Sequence, residues 1–494
     1  MIDPRTPVIV AVEQRNHRES GSEPIAAMAT AVDPLLTSSD PRRRLASKVT
    51  SLRVMRGLWP YRNPGRMLAD DLGLGPVQTT LSPIGGNEVY DLVNTTASDI
   101  QSGSLEAAVI CAAETGRTRR SLKAAGDEPA YRSEPDDAAP DLLYGSSRRM
   151  LSDRQAAVGA WEATVFYALV ESALRHAAGE SVEAHRSRIA ELWASTSEVA
   201  SQNPHAWLTD KNSATDIATV SAANRMVATP YPKLMTANID VDQSAAVLMC
   251  SLGAARDAGF SDDQLVFLAS GAGAHDHWAV EERWSLHESP AMRAAGARAV
   301  ALAGRSVGDI ADIDLYSCFP SAVQVAQAEL GIDPARPFTI TGGLTFAGGP
   351  FNSYCLHTLA TAFERIVGGV ADSALLSGNG GFFSNHSFVV LGNTAPEHGF
   401  RYDRPQAEVD ALPARPPSAS APDGGLLESY SVVFGREAEP SHAVATVLDS
   451  AGARHWARSE DADVVGALLE GEHVESSVDL ASSDDGNSVL RKVR

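Results

Sequence analysis

Apolar residues follow different patterns along this chain, and each pattern predicts a kind of element. Residues 7–12, Pro-Val-Ile-Val-Ala-Val, are apolar without interruption, which is typical of a strand buried on both faces. Between residues 88 and 102 a helical period places one set of side chains on a single face. That set is Val89, Leu92, Val93, Thr96 and Ile100. Gly103 then ends the helix, and the apolar residues 107–112 predict a second buried strand.

This unit of glycine turn, helix and buried strand occurs twice. The first copy starts at Gly85-Gly86 and the second at Gly348-Gly349. Each helix ends in the same Ile-x-x-Gly spacing, and residues 373–377 form the strand of the second copy. The repeat predicts a duplicated α/β fold with a parallel-rich sheet in each half, and ligands are expected at its glycine turns.

Breaks in these patterns predict the domain boundaries. Residues 1–262 form the first half, interrupted by an insertion at about 116–235, and residues 263–393 form the second half. Residues 394–427 form a linker, because 411–425 are rich in proline, alanine and serine. Residues 428–494 then predict a small β-barrel or sandwich of short strands, which depends on contacts with the main body for its stability. The predicted strands are 428–436, 442–449, 454–458, 463–470 and 472–479.

Composition limits the classes of partner. The chain has 494 residues and a formal charge of −21, which argues against binding nucleic acid or anionic membranes. Basic spots for an anionic ligand remain at residues 117–123 and at Arg148-Arg149, unless these are plain solvated surface. No apolar run is long enough to span a bilayer, no signal pattern opens the chain, and the four cysteines lack metal-ligand spacing. We therefore expect a cytoplasmic protein without a bound metal.

Three later segments end in small or polar residues and predict loops that meet at one pocket. They are 314–320, the glycine-rich turn 341–350 and 374–386. Their sequences, with Met-Thr-Ala-Asn-Ile-Asp at 235–240, resemble motifs of the thiolase superfamily over residues 5–393. Tyr-Ser-Cys-Phe at 316–319 is closest to the sterol-carrier-protein type of thiolase, so the chain is identified as an actinobacterial thiolase-like protein. The resemblance implies two βαβαβαββ halves, an inserted loop domain and an added C-terminal β domain.

The positions that carry thiolase chemistry in that family hold other residues here. Gly86 stands where the resemblance places the nucleophilic cysteine, and Gly349 stands where it places the base histidine. Ser377 replaces the second cysteine, Tyr316 replaces an asparagine and Glu88 replaces a motif serine. Because glycine can neither attack a thioester nor move a proton, ordinary thiolase chemistry is not expected.

The candidate catalytic residues are therefore weak ones, each with a structural alternative. Tyr316 is either a hydrogen-bond donor or base, or a filler of the space left by the missing groups. Cys318 has no identified base and is otherwise an inert small residue, and His386 is otherwise structural. The candidate substrate-binding residues are Gly86, Asn87, Gly348, Gly349, Ser377 and Gly380.

Three functions are consistent with this frame. The first is binding of an acyl-CoA or lipid thioester without thiolase activity and without a resident cofactor. The second is a tyrosine-dependent retro-aldolase acting on a β-hydroxyacyl-CoA, with Tyr354 as a partner of Tyr316. The third is a non-catalytic scaffold that docks a protein partner through the C-terminal domain. The sequence leaves a homodimer and a monomer equally open.

Overall fold

The computed structural model describes residues 2–19, 21–145, 148–417, 422–482 and 488–494. One eleven-stranded mixed sheet carries both halves of the duplicated fold. The first half contains β1 (Pro7–Asn16), α1 (Pro24–Thr37), α2 (Asp40–Ala46), β2 (Val49–Val54), α3 (Pro64–Asp71), β3 (Gln78–Leu81), α4 (Glu88–Ser102) and β4 (Ala107–Thr115).

The insertion follows β4 and is mainly helical. Its elements are α5 (Gly116–Ala125), β5 (Leu142–Leu143), α6 (Asp153–Ala157), α7 (Ala163–Ala177), α8 (Val182–Gln202), α9 (Ala214–Ala218), β6 (Met226–Ala228) and β7 (Tyr231–Pro232). The first half then closes with β8 (Asp242–Ser251) and α10 (Leu252–Ala258). The predicted insertion at about 116–235 thus lies between the two long central strands β4 and β8.

The second half repeats the layout of the first. It contains β9 (Val266–His275), α11 (Pro290–Leu302), β10 (Asp312–Asp314), α12 (Pro320–Leu330), α13 (Tyr354–Val367), β11 (Ser373–Gly380) and β12 (Asn385–Gly392). The strand order is β10-β11-β12-β9-β1-β8-β4-β2-β3-β5, and a short pairing of β1 with β9 joins the halves. Within each half the two central strands β4–β8 and β11–β12 run antiparallel, whereas β2–β4 and β10–β11 run parallel.

The two repeated helices, α4 and α13, lie between the two halves of the sheet and contact each other. Most of their residues are buried, and they share one continuous apolar core with strands of both halves. Gly103 ends α4 in the left-handed conformation at φ 82°, and Gly369 has φ 69° after α13, as the Ile-x-x-Gly spacing predicted. The N-terminal ends of these helices therefore meet at the centre of the molecule.

The C-terminal region is a closed five-stranded barrel. Its strands are β14 (Gly424–Phe434), β15 (Pro440–Leu448), β16 (Arg454–Ser459), β17 (Ser477–Ser482) and β18 (Ser488–Val493), and the β14–β15 pairing closes the ring. Strands β6 and β7 of the insertion extend this sheet from β14. The barrel is therefore joined to the main body through backbone pairing.

One strand prediction for this region was wrong. Residues 463–470 lie mainly in helix α15 (Ala462–Leu469), because Val464, Val465 and Leu468 recur at helical spacing and are buried against the barrel. The described part of the 394–427 linker also has regular structure, in β13 (Arg401–Asp403), which pairs with β9, and in α14 (Gln406–Asp410). Residues 418–421 of that linker lie outside the described residues.

Candidate functional site

Gly86 lies just before α4, and the structure leaves no room there for a side chain. A Cβ built on Gly86 would lie 2.6 Å from Tyr316 Oη and 2.5 Å from the carbonyl oxygen of Asn379. Real Cβ atoms do not approach other heavy atoms this closely, so the phenol of Tyr316 fills the space that a side chain at position 86 would need.

Gly349, which the sequence resemblance aligns with the base, is enclosed by backbone. Its N–H donates to the Asn238 carbonyl over 2.8 Å, and a Cβ there would lie 3.1 Å from that same oxygen. Gly348 has φ 114°, and its Cβ would lie 2.3 Å from Gln243 Oε1. Gly348 is therefore fixed by its backbone conformation as well as by its neighbour.

Contacts of both the backbone and the ring fix the position of Tyr316. Its N–H donates to Ser377 Oγ over 2.9 Å, and its ring meets the Tyr354 ring edge-on with 5.6 Å between centroids. Desolvation raises the pKa of the Tyr316 phenol well above its ordinary value. At neutral pH the phenol is therefore protonated, so it can donate a hydrogen bond but does not act as a base.

Two cysteines lie near this point, and both are buried thiols. Burial raises the pKa of Cys318 to about 12, and burial also raises the pKa of Cys355 well above its ordinary value. The Cys355 thiol donates to the Gly86 carbonyl over 3.2 Å. Neither residue is a thiolate at neutral pH, so neither provides a nucleophile in place of the missing one.

Asn87 and Gly380 fit each other as a pair. A Cβ on Gly380 would lie 1.9 Å from Asn87 Oδ1, so glycine is required where β11 passes the start of α4. The Asn87 amide nitrogen donates to Asp91 Oδ2 over 3.1 Å and to Glu88 Oε1 over 3.2 Å. Asn87 therefore binds the two carboxyl groups in the first turn of α4.

His386 does not join Tyr316 and Cys318. Its Nε2 lies 3.0 Å from Ser289 Oγ, which itself donates to Asp276 Oδ2 over 2.5 Å. Because that hydroxyl proton goes to the carboxylate, Nε2 of His386 carries a proton and donates to Ser289. The Nδ1 atom of His386 is buried and has no hydrogen-bond partner among the described residues.

Asn87 and His386 both line a cleft of about 790 Å³ that the sequence did not predict. Its wall also carries Glu88, Arg148 and Trp278. The sequence signals were the candidates Asn87 and His386, the substitution at Glu88 and the basic pair at Arg148-Arg149. They did not predict one cleft, because its lining combines residues from six separate segments. Tyr316, Cys318, Ser377 and Gly349 are not part of its lining.

Glu88 has the most perturbed carboxyl group of this cleft. Desolvation, with a smaller contribution from the neighbouring charge of Asp91, raises the pKa of Glu88 to about 8. Glu88 is therefore mostly protonated at neutral pH. Asp91 accepts hydrogen bonds from Ser387 and Tyr402 and pairs with Arg404 at 3.3 Å.

Together, the duplicated halves and the paired central helices define a thiolase-like fold. A family model of the thiolase-like protein type 1 additional C-terminal domain matches residues 405–485. This match and the fold support a thiolase-superfamily protein that carries this additional C-terminal domain. The matched span begins inside the predicted linker, in agreement with the helix that starts at Gln406.

Solved structures agree with this assignment. The crystal structure of a monomeric SCP2-thiolase-like protein type 1 from Mycobacterium smegmatis is 28% identical, with a TM-score of 0.84, over 99% of this chain and 100% of that one. The Ltp2–ChsH2(DUF35) aldolase is 18% identical, with a TM-score of 0.60, over 79% of this chain and 98% of that one, which shows the fold alone. No curated protein sequence matches the chain. Among the described residues, no helix is long and apolar enough to cross a membrane.

Proposed function

We propose that this chain binds an acyl-CoA or a related lipid thioester and does not transfer the acyl group. The absence of acyl transfer is supported by the close approach of Tyr316 to Gly86, because the phenol fills the space of a nucleophilic side chain at position 86. The binding of a thioester is supported by the thiolase fold, whose other members bind such thioesters. Because Cys318 and Cys355 are protonated at neutral pH, no neighbouring thiol takes over the attack.

Calorimetric titration of coenzyme A and of acyl-CoAs of several chain lengths at neutral pH tests this function. We expect at least one acyl-CoA to bind, and we expect no loss of acetoacetyl-CoA when free coenzyme A is added as the thiolytic acceptor. Absence of binding at every chain length would refute the binding role. Thiolysis by the purified chain would refute the non-catalytic one.

A second candidate is the retro-aldol reaction of a β-hydroxyacyl-CoA. It is favoured by the edge-on contact of Tyr316 with Tyr354, which places two phenols beside the closed nucleophile position. Because the raised pKa keeps the Tyr316 phenol protonated, it would serve as a hydrogen-bond donor to the substrate carbonyl. Removal of that donor in Tyr316→Phe should lower turnover about a hundredfold, and an unchanged rate would exclude this role.

A further inference from the structure

The cleft beside α4 carries positive charge, although the chain as a whole is strongly negative. Arg56, Arg148 and Arg404 line it. Arg404 is paired with Asp91, whereas no carboxylate among the described residues lies within ion-pair distance of Arg56 or Arg148. A protonated Glu88 does not balance these two charges. In a chain of net charge −21, two uncompensated arginines in one cleft favour an anionic ligand.

The second feature of the cleft is a stack of flat side chains. The guanidinium carbon of Arg148 lies 4.9 Å from the Trp278 ring centroid, and the His275 ring lies 4.1 Å from the same ring. The His275 Nδ1 lies 3.0 Å from the Asp276 carbonyl, so it carries the proton and donates to that oxygen. Trp278 is half-buried, so the indole presents apolar surface to the cleft.

The third feature is a buried ring nitrogen of His386 without a partner. Nε2 contacts Ser289, whereas Nδ1 has no hydrogen-bond partner among the described residues, and His386 is part of the lining of the cleft. A buried polar atom without a partner costs free energy, which a polar group of a ligand can recover. The volume of about 790 Å³ lies within the usual range for small-molecule sites.

We propose that this cleft is a binding site for a purine nucleotide, distinct from the closed thiolase position at Gly86. Arg56 binds a phosphate, because a guanidinium presents several N–H donors to an oxyanion. Arg148, held against the Trp278 ring, stacks on the base, and His386 Nδ1 forms a hydrogen bond with an amino or hydroxyl group of the ligand. The nucleotide is either free or the head of a coenzyme A thioester, and only in the latter case does the proposal rest on the function proposed above.

Calorimetric titration of ADP, coenzyme A and pantetheine into the full chain tests the site. We expect ADP to bind, and we expect Trp278→Leu and Arg56→Gln each to weaken its binding about tenfold or more. Trp161→Leu and Arg436→Gln are matched controls on exposed positions outside the cleft and should leave the affinity unchanged. Thermal unfolding of each variant establishes that it is folded.

ADP and coenzyme A separate the two sources of the nucleotide, and pantetheine, which has no nucleotide, is the control ligand. If ADP and coenzyme A lose affinity together in the cleft variants, the nucleotide head of coenzyme A occupies the site. If only ADP loses affinity, the site takes a free nucleotide, and it stands even where no acyl-CoA binds. Absence of ADP and coenzyme A binding, or equal affinities in the cleft and control variants, would overturn the proposal. Acyl-CoA binding that ignores both cleft substitutions, together with no ADP binding, would keep the proposed function and remove this site.

Discussion

Tyr316 and Gly86 are complementary residues, since each has the size that the other requires. Gly86→Ala adds only the Cβ atom that would lie within 2.6 Å of Tyr316 Oη and of the Asn379 carbonyl. We predict a loss of about 1–3 kcal/mol in the free energy of unfolding, because the closest atom is backbone and cannot move away cheaply. Chemical denaturation measures this loss.

Gly466→Ala is the matched control for that substitution. Gly466 lies in α15 with no heavy atom within 4 Å of an added Cβ, so alanine there should be neutral or stabilise by about 0.5–1 kcal/mol. Equal effects of the two substitutions would show that Gly86 is not enclosed as described. Gly86→Cys, which restores the family's nucleophile, should likewise destabilise the chain and confer no thiolase activity.

Glu88 predicts a pH dependence of stability. Its pKa is about 8 in the folded chain and near its ordinary value of 4.5 in the unfolded chain, so folding favours the protonated form. This contribution is complete below pH 4.5 and is lost as the pH rises through about 8. Glu88→Gln imitates the protonated form, so it should raise the melting temperature relative to the wild type at pH 9 and change it little at pH 4.

The free-energy difference at pH 9 is expected to be on the order of 1–3 kcal/mol, since the side chain is only half-buried and solvent screens part of the shift. Glu114 and Asp314 also have raised pKa values, of about 7 and about 6, but they are present in both proteins. The difference between the two proteins therefore isolates Glu88. A variant that is equally stabilised at both pH values would contradict the assigned pKa.

At the scale of elements, the outer edge of the sheet is closed. Strand β5 pairs with β3, and the Asp141 carboxylate accepts from the Thr79 N–H over 2.7 Å and from the Thr79 hydroxyl over 2.9 Å. Because this edge is occupied, a second copy cannot extend the sheet from β3. We expect light scattering to give the monomer mass of 52.1 kDa, and a stable species of twice that mass would contradict this expectation.

Elements with a strong local period could be predicted from the sequence, and elements that depend on distant partners could not. Glycine caps and apolar faces are local signals. They therefore predicted the unit that contains α4 and β4 and its repeat at α13. The strand predicted over residues 463–470 is helix α15 in the structure, since two adjacent valines suit either element. The glycine at position 86 could be read from the sequence. The phenol that fills the space beside it could not, because Tyr316 is 230 positions away along the chain. The cleft was missed for the same reason.

At the scale of the whole molecule, the barrel and the thiolase body form a shared structure. Arg454 is fully buried, pairs with Glu428 at 2.6 Å and donates to the carbonyl oxygens of Val280 and Arg283 over 2.5 and 2.6 Å. Arg175 of the insertion pairs with Glu472 of the barrel at 2.7 Å. Removal of the barrel at the linker would expose these groups, so truncation is a poor test of a docking role for the C-terminal domain.

Arg454→Ala should therefore destabilise the whole chain. The substitution leaves two carbonyl acceptors and the Glu428 carboxylate with unfilled partners, which costs about 3–5 kcal/mol. Calorimetric unfolding should show one transition shifted to lower temperature, with Arg436→Ala as the exposed control. A second transition that leaves the main one unchanged would show that the barrel folds independently of the body.

We propose that this thiolase-like chain binds an acyl-CoA and leaves its thioester bond intact. The most direct measurement is mass spectrometry of the chain and of the ligand released from it after incubation with an acyl-CoA and gel filtration. We predict that the acyl-CoA is recovered unchanged and that the chain keeps its unmodified mass. An acylated chain with free coenzyme A, or a chain that elutes without ligand, would contradict the claim.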